Sequence, residues 1–321
     1  MSQNNLEEVR RIKKSVEENL LKKPGVNAVE VGYKIIDGKK TDELSIRIHV
    51  EKKKDVSKDE MIPPIIKGVK TDVIERTFVL PNHNRLLHKF KITPNVDVGN
   101  YNPLQGGISI GPCRIIGSSA YYGSLGILVI DNKTQAPMVL SCFHVMAVDT
   151  SWSVGDTMSQ PSLADGGKCP DNVIGTLQRA NLDDTTDCAL ASVNEQARGV
   201  ICQIEDIGNI AGISTAASNA SVRKRGRTTL LTFGAIESID MTVQNIDYGD
   251  GLGKRTLTNQ IGIEPDISKN KMFLDDGDSG AVVVDDSSQV IGLLFSGSPD
   301  GHGIANPIQA VLNALDANIC S

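Results

Sequence analysis

From residue 106 onward, short β-type runs of only three to six residues alternate with clusters of glycine, asparagine and aspartate. No other feature constrains the fold as strongly. Runs this short are too brief to build a helix face but long enough to fill one strand each. They include Ile108 to Ile110, Leu125 to Ile130, Met138 to Leu140, Ala189 to Val193, Gly234 to Ile239, Ala281 to Val284 and Val290 to Phe295. Short strands recurring over roughly 200 residues predict a mainly-β sandwich or barrel. The pattern changes only at the end. There Asn306 reads as an N-cap with Pro307 at the first helical position, and Ile308, Val311, Leu312 and Leu315 line one face of a C-terminal helix.

The chain opens differently. Leu6, Val9, Ile12, Val16 and Leu20 recur at steps of three or four, which predicts an amphipathic helix over 6–21, closed by Pro24-Gly25. Strands are expected over Val26–Ile36 and Leu44–Val50, joined as a hairpin through Asp37-Gly38, with a third near Thr71–Ile74. The alternation of the second strand sets His49 on a polar face. Residues 1–78 thus read as a small α+β domain suited to regulation or oligomerisation. Residues 79–104, with Pro81, Pro94 and Pro103, read as a linker, and 105–321 as the main domain. His83 and His88 sit in that linker without further ligands, too few for a metal site.

Charge is unevenly spread. Residues 1–91 carry 20 basic against 14 acidic residues, and 92–321 carry 13 against 25. The two pieces either dock on one another or present separate solvated surfaces. The run Arg223-Lys224-Arg225-Gly226-Arg227 raises nucleic-acid binding. The acidic surroundings and 4% aromatic content argue against it, so the run reads as a solvated strand face and no nucleic-acid partner is expected. No window approaches the ~18 apolar residues that span a bilayer, and the first residues lack an apolar signal core. Membrane insertion and export are therefore not expected, the location reads as cytoplasmic, and the six cysteines read as free thiols.

Three residues carry the chemistry. Ser279 lies in Asp276-Gly277-Asp278-Ser279-Gly280, where the glycines permit a sharp turn that aims the N–H groups of Gly277 and Ser279 at one point. A serine hydroxyl needs a neighbouring base, and His144 follows the apolar run Val139-Leu140. Asp187 directly precedes the strand Cys188-Ala189-Leu190-Ala191. The order His, Asp, Ser is that of one catalytic arrangement and differs from two others.

With Gly226-Arg227-Thr228-Thr229, these motifs resemble the trypsin/chymotrypsin-like serine proteases. Gly107 to Gly111, the Gln160-Pro161 loop, and Gly292 to Gly297 with Ala305 to Ile308 look most like bacterial relatives of the plant Narrow Leaf-type trypsin-like proteases. Leu230 departs from the family, which has glycine there. The resemblance implies a double six-stranded β-barrel with a C-terminal helix, and a serine endopeptidase without cofactor or metal. In it His144, Asp187 and Ser279 are the triad, and Gly277 and Ser279 form the oxyanion hole. It also implies Phe273 at the floor of the substrate pocket, Phe295, Ser296 and Gly297 along its wall, and preference for a small or medium apolar residue. Asp275 and Asp276 at the rim would instead favour a basic one. A cut near Gln105–Ile108 would free an N-terminus to pair with Asp278. Partners are a protein or peptide substrate and, for the N-terminal domain, a second copy in a homo-oligomer. The competing reading is a catalytically silent scaffold.

Overall fold

A computed structural model describes residues 5–57, 59–81, 96–249 and 251–320, and 84–86 by backbone alone. His83, His88 and Pro94 lie outside the described residues. Helix α1 (Leu6–Leu21) starts where Asn5 Oδ1 accepts the Glu8 N–H at 2.8 Å, an N-cap, and buries Val9, Ile12 and Leu20. Its apolar stripe rests on β1 (Val26–Ile36) and β2 (Lys39–Val50), which pair antiparallel, while β3 (Val69–Glu75) runs parallel to β2. Val29, Val31, Ile46 and Ile48 complete this small core.

The main domain follows in two halves. The first holds β4 (Ser109–Pro112), β5 (Ile127–Asp131), β6 (Pro137–Ser141), the turn of helix α2 (Phe143–Met146), β7 (Thr157–Ser159), β8 (Val173–Leu182) and β9 (Asp187–Ser192). The second holds β10 (Ser221–Gly226), β11 (Leu230–Asp247), β12 (Lys254–Pro265), β13 (Val282–Asp285), β14 (Gln289–Gly297) and β15 (Gly303–Pro307). Helix α3 (Ile308–Leu315) and β16 (Ala317–Ile319) close the chain. The architecture is mainly β with a C-terminal helix, as the sequence predicts.

Two separate six-stranded barrels do not form. The first half is an eight-stranded path, β16–β5–β6–β9–β8–β7–β4 and the short strand Gly123–Ser124, whose ends do not pair among the described residues. In the second, β10–β13–β14–β15–β12–β11 pair in turn, and β11 pairs back on β10. That ring does not stand alone. At 18 residues β11 is longer than the ring needs, and its far half offers an edge that β1 covers, with Ala28 opposite Val243 and Val29 opposite Thr242.

The basic N-terminal piece therefore docks on the acidic main domain. Lys13 reaches Asp240 at 3.1 Å, and Arg47, fully buried, bridges Glu30 at 2.5 Å and Glu237 at 2.9 Å. Burial opposes ionisation of Glu30, yet Arg47 and His49 hold its carboxyl well below the usual range. The polar-face placement of His49 is corrected: it is fully buried, 2.7 Å from Glu30 and edge-on to Phe78. The face it occupies meets the main domain instead of water.

Two further expectations change. Pro307, not Asn306, caps α3, and the Asn306 side chain turns inward. Four of the six cysteines are paired, Cys113 with Cys169 and Cys202 with Cys320, at Cα separations of 6.1 and 5.5 Å. Partners 56 and 118 positions apart leave no local spacing to read. Cys142 and Cys188 are buried thiols. Unreduced protein, denatured and alkylated, should take two labels, at Cys142 and Cys188, and six after reduction; peptide mass mapping checks this.

Candidate active site

Strand register brings His144 to Asp187. In the β6–β9 pair Ser141 lies opposite Ala189, so in an antiparallel ladder the residues just past Ser141 run beside those just before Ala189. The α2 turn then folds the imidazole back. Its Nδ1 stands 2.5 Å from Asp187 Oδ2, and its backbone N–H donates to Asp187 Oδ1 at 3.2 Å. Both side chains are buried. Asn306 Oδ1 accepts the Asp187 N–H at 3.0 Å, while its own amide donates to Gln260 Oε1 at 2.7 Å.

A residue the sequence did not mark completes the carboxylate's surroundings. Tyr248, just beyond β11, donates its hydroxyl to Asp187 Oδ2 at 2.9 Å, with its ring edge-on to the imidazole at 6.1 Å. Burial, and then the Asp187 charge, push the phenol well above its ordinary value, so it stays a donor. No periodicity or motif points to it. Tyr248→Phe should lower kcat about tenfold, since it removes one hydrogen bond of about 1 kcal/mol that holds the Asp187 carboxylate against the imidazole. Steady-state kinetics in parallel with wild type check this.

The serine turn is held from below by Asp278, which is fully buried. It accepts hydrogen bonds from Thr228 N–H (2.8 Å), Thr229 N–H (3.1 Å), Thr229 hydroxyl (2.6 Å) and Asp275 N–H (3.0 Å), and pairs with Lys224 Nζ at 3.2 Å. Burial pulls the Lys224 ammonium below its usual value, with Asp278 opposing the shift. The place a freed N-terminus would take is thus filled by lysine. Leu230, which stands where the family has glycine, keeps a left-handed backbone at φ 56°. Gly277 and Gly280 both lie at φ 92°. Asp278 N–H turns to Asp275 O, and among the described residues the N–H groups of Gly277 and Ser279 meet no acceptor.

The same bonds correct the solvated reading of the basic run. Lys224, Arg225 and Arg227 are buried, with Arg225 on Asp97 at 2.5 Å and Arg227 paired with Asp165. The run offers no cationic face to a phosphate backbone.

The segments that carry His144 and Ser279 both border β14 at the junction of the two halves. Ser279 Oγ donates to Phe295 O at 3.4 Å, and the neighbouring Leu294 O accepts the thiol of Cys142, two residues before His144, at 3.3 Å. Ser279 O accepts the Ser124 N–H at 2.8 Å. A Cβ on Gly123 would strike both Val145 and Ser279 O, so only glycine lets the His144 and Ser279 segments close here. Phe273 is fully buried in the second-half core, hard against Gly234 and Gly303, and Leu274 is the residue that reaches Gly297. Phe295 is buried too, whereas Ser296 and Gly297 meet the segment at Val79.

Among the described residues, two groups have donor atoms close enough for a cation. In Cys142, His144 and Asp187 the candidate ligand atoms are already engaged within the protein, His144 Nδ1 with Asp187 Oδ2 at 2.5 Å and the Cys142 thiol with Leu294 O at 3.3 Å. Glu237, Glu264 and His302 already answer to Arg47, Arg76 and Lys40. Neither suits a metal.

No protein-family model and no curated protein sequence matches this chain. Among solved structures it is similar to Thermobifida fusca protease A, with 21% identity over 68% of this chain and 99% of that one, TM-score 0.49. A Nocardiopsis protease shares 16% identity over 68% and 100% at TM-score 0.49. Cellulomonas bogoriensis chymotrypsin shares 19% over 68% and 98% at TM-score 0.46. What carries the functional reading is the side-chain geometry.

Proposed function

We propose that the chain is a serine endopeptidase acting on protein or peptide substrates. The observation that carries this is the buried His144–Asp187 pair, Nδ1 to Oδ2 at 2.5 Å, at the junction that also holds the glycine-flanked Ser279. Asp187 fixes the imidazole tautomer, leaving Nε2 to take the Ser279 proton as Oγ attacks the amide carbonyl. The imidazolium then returns that proton to the leaving amine, and water repeats the sequence on the acyl-enzyme. Gly277 and Ser279 N–H groups receive the oxyanion. Apolar Leu274, packed against Gly297, favours an apolar residue before the cut.

In this reading residues 1–78 regulate or oligomerise, 79–104 connect, and 105–321 catalyse, as in bacterial relatives of the Narrow Leaf-type proteases. No helix among the described residues is long and apolar enough to cross a membrane. The paired cysteines favour an oxidising setting over the cytoplasm. The silent-scaffold reading has one observation in its favour, the Ser279 hydroxyl resting on Phe295 O. A fluorophosphonate decides between them: a single adduct mapped to Ser279 is expected, and an unlabelled serine in folded protein overturns the protease reading.

A further inference from the structure

The segment after β3 does not simply lead away. Val79 and Gly297 exchange both backbone hydrogen bonds, Val79 N–H to Gly297 O at 2.8 Å and Gly297 N–H to Val79 O at 3.1 Å, as an antiparallel bridge. Ser296 Oγ also donates to Val79 O, at 2.8 Å. Upstream, Arg76 N–H donates to Val50 O at 3.0 Å and its side chain reaches Asp300 and His302, while Phe78 is buried against His49. The N-terminal unit therefore presents this strand to β14.

The direction and register are informative. In an antiparallel pair two steps forward on one strand are two steps back on the other. Carried two residues further, the register of the Val79–Gly297 bridge leads Pro81 toward Phe295, whose carbonyl accepts the Ser279 hydroxyl. The strand therefore runs toward the serine as an acyl-side peptide would. Val79 is 49% exposed, Leu80 packs half-buried on the main core, and Pro81 is buried. Proline has no N–H to give Phe295 O, so the strand can bind without being held for attack at that residue.

Resting on the protease reading, in which the Ser296–Gly297 edge takes the substrate strand, we infer that Val79–Pro81 is a built-in occupant of that edge, held there in competition with an extended aliphatic peptide. Recognition is by strand addition: main-chain bonds give affinity and alternate side chains select. Substrates carry aliphatic residues matching Val79 and Leu80, and must displace a strand that competes at the effective concentration of a tether, on the order of millimolar.

The test separates binding from chemistry. Val79→Pro removes the N–H that bonds Gly297 O, and Leu80→Glu removes the packing without touching the bridge. Each is placed in a Ser279→Ala background and titrated with a fluorescein-labelled Phe-Val-Leu-Pro peptide by anisotropy. Both should bind the peptide roughly tenfold more tightly than Ser279→Ala alone, because the tethered competitor is weakened. In the active chain the same changes should lower KM and leave the fluorophosphonate labelling rate unchanged. Equal peptide affinity in all three folded proteins overturns the inference, whatever the labelling shows. Absent labelling with tighter peptide binding would sink the protease reading and leave the groove occupant standing.

Discussion

Exchange of Ser279 for alanine is expected to lower kcat for peptide hydrolysis by about a million-fold, since nucleophile and base act as one unit. His144→Ala should cost about the same, and the double variant little more than either, because the second loss removes nothing that still works. Asp187→Asn should cost about ten-thousand-fold, as its amide holds the imidazole in the wrong tautomer. Asp187 also accepts from His144 N–H and Tyr248 hydroxyl. Circular dichroism must therefore show an intact fold before the loss is read as chemistry. Substrate binding should change little in all of them. Activity in Ser279→Ala within a hundred-fold of wild type would end the assignment.

The second large effect is on stability and rate together. Lys224→Met leaves Asp278 buried without its cation, and breaking such a pair from one side costs about 3–5 kcal/mol. Both partners are fully buried here, so water cannot replace the lysine without opening the turn. Asp278 also holds the N–H groups of Thr228, Thr229 and Asp275, and through them the placing of Gly277 and Ser279. Surviving folded protein should therefore lose a further factor of about a hundred in kcat, the scale of one misplaced oxyanion donor. Urea denaturation and steady-state kinetics read the two separately. The double variant Lys224→Met, Asp278→Asn should recover part of the stability, because no charge is then stranded and the amide oxygen still accepts from the turn, but not the rate. Equal stability in Lys224→Met and wild type would show that the pair contributes nothing net.

Much of this was legible in the chain itself. The α1 periodicity, the hairpin of β1 and β2, the short strands of the main domain and the α3 face are local patterns. Each depends on residues within a few positions of one another, so the sequence determined them. The positions of His144, Asp187 and Ser279 were legible for the same reason, as each sits in a local strand-and-turn context.

What the tertiary structure decided depends on partners distant in sequence. Lys224, Arg225 and Arg227 read as solvated because isolated charges avoid burial, until Asp278, Asp97 and Asp165 arrive from other elements. His49 looked polar-facing because alternation distinguishes two faces of a strand but not what covers each one. Tyr248 on Asp187, the disulfides, Asn306 beneath the dyad and Val79 on Gly297 join residues from 61 to 218 positions apart, apart from the closer Cys113–Cys169 pair at 56. Such contacts exist only once chain closure has been offset by a packed core, and no local pattern encodes them.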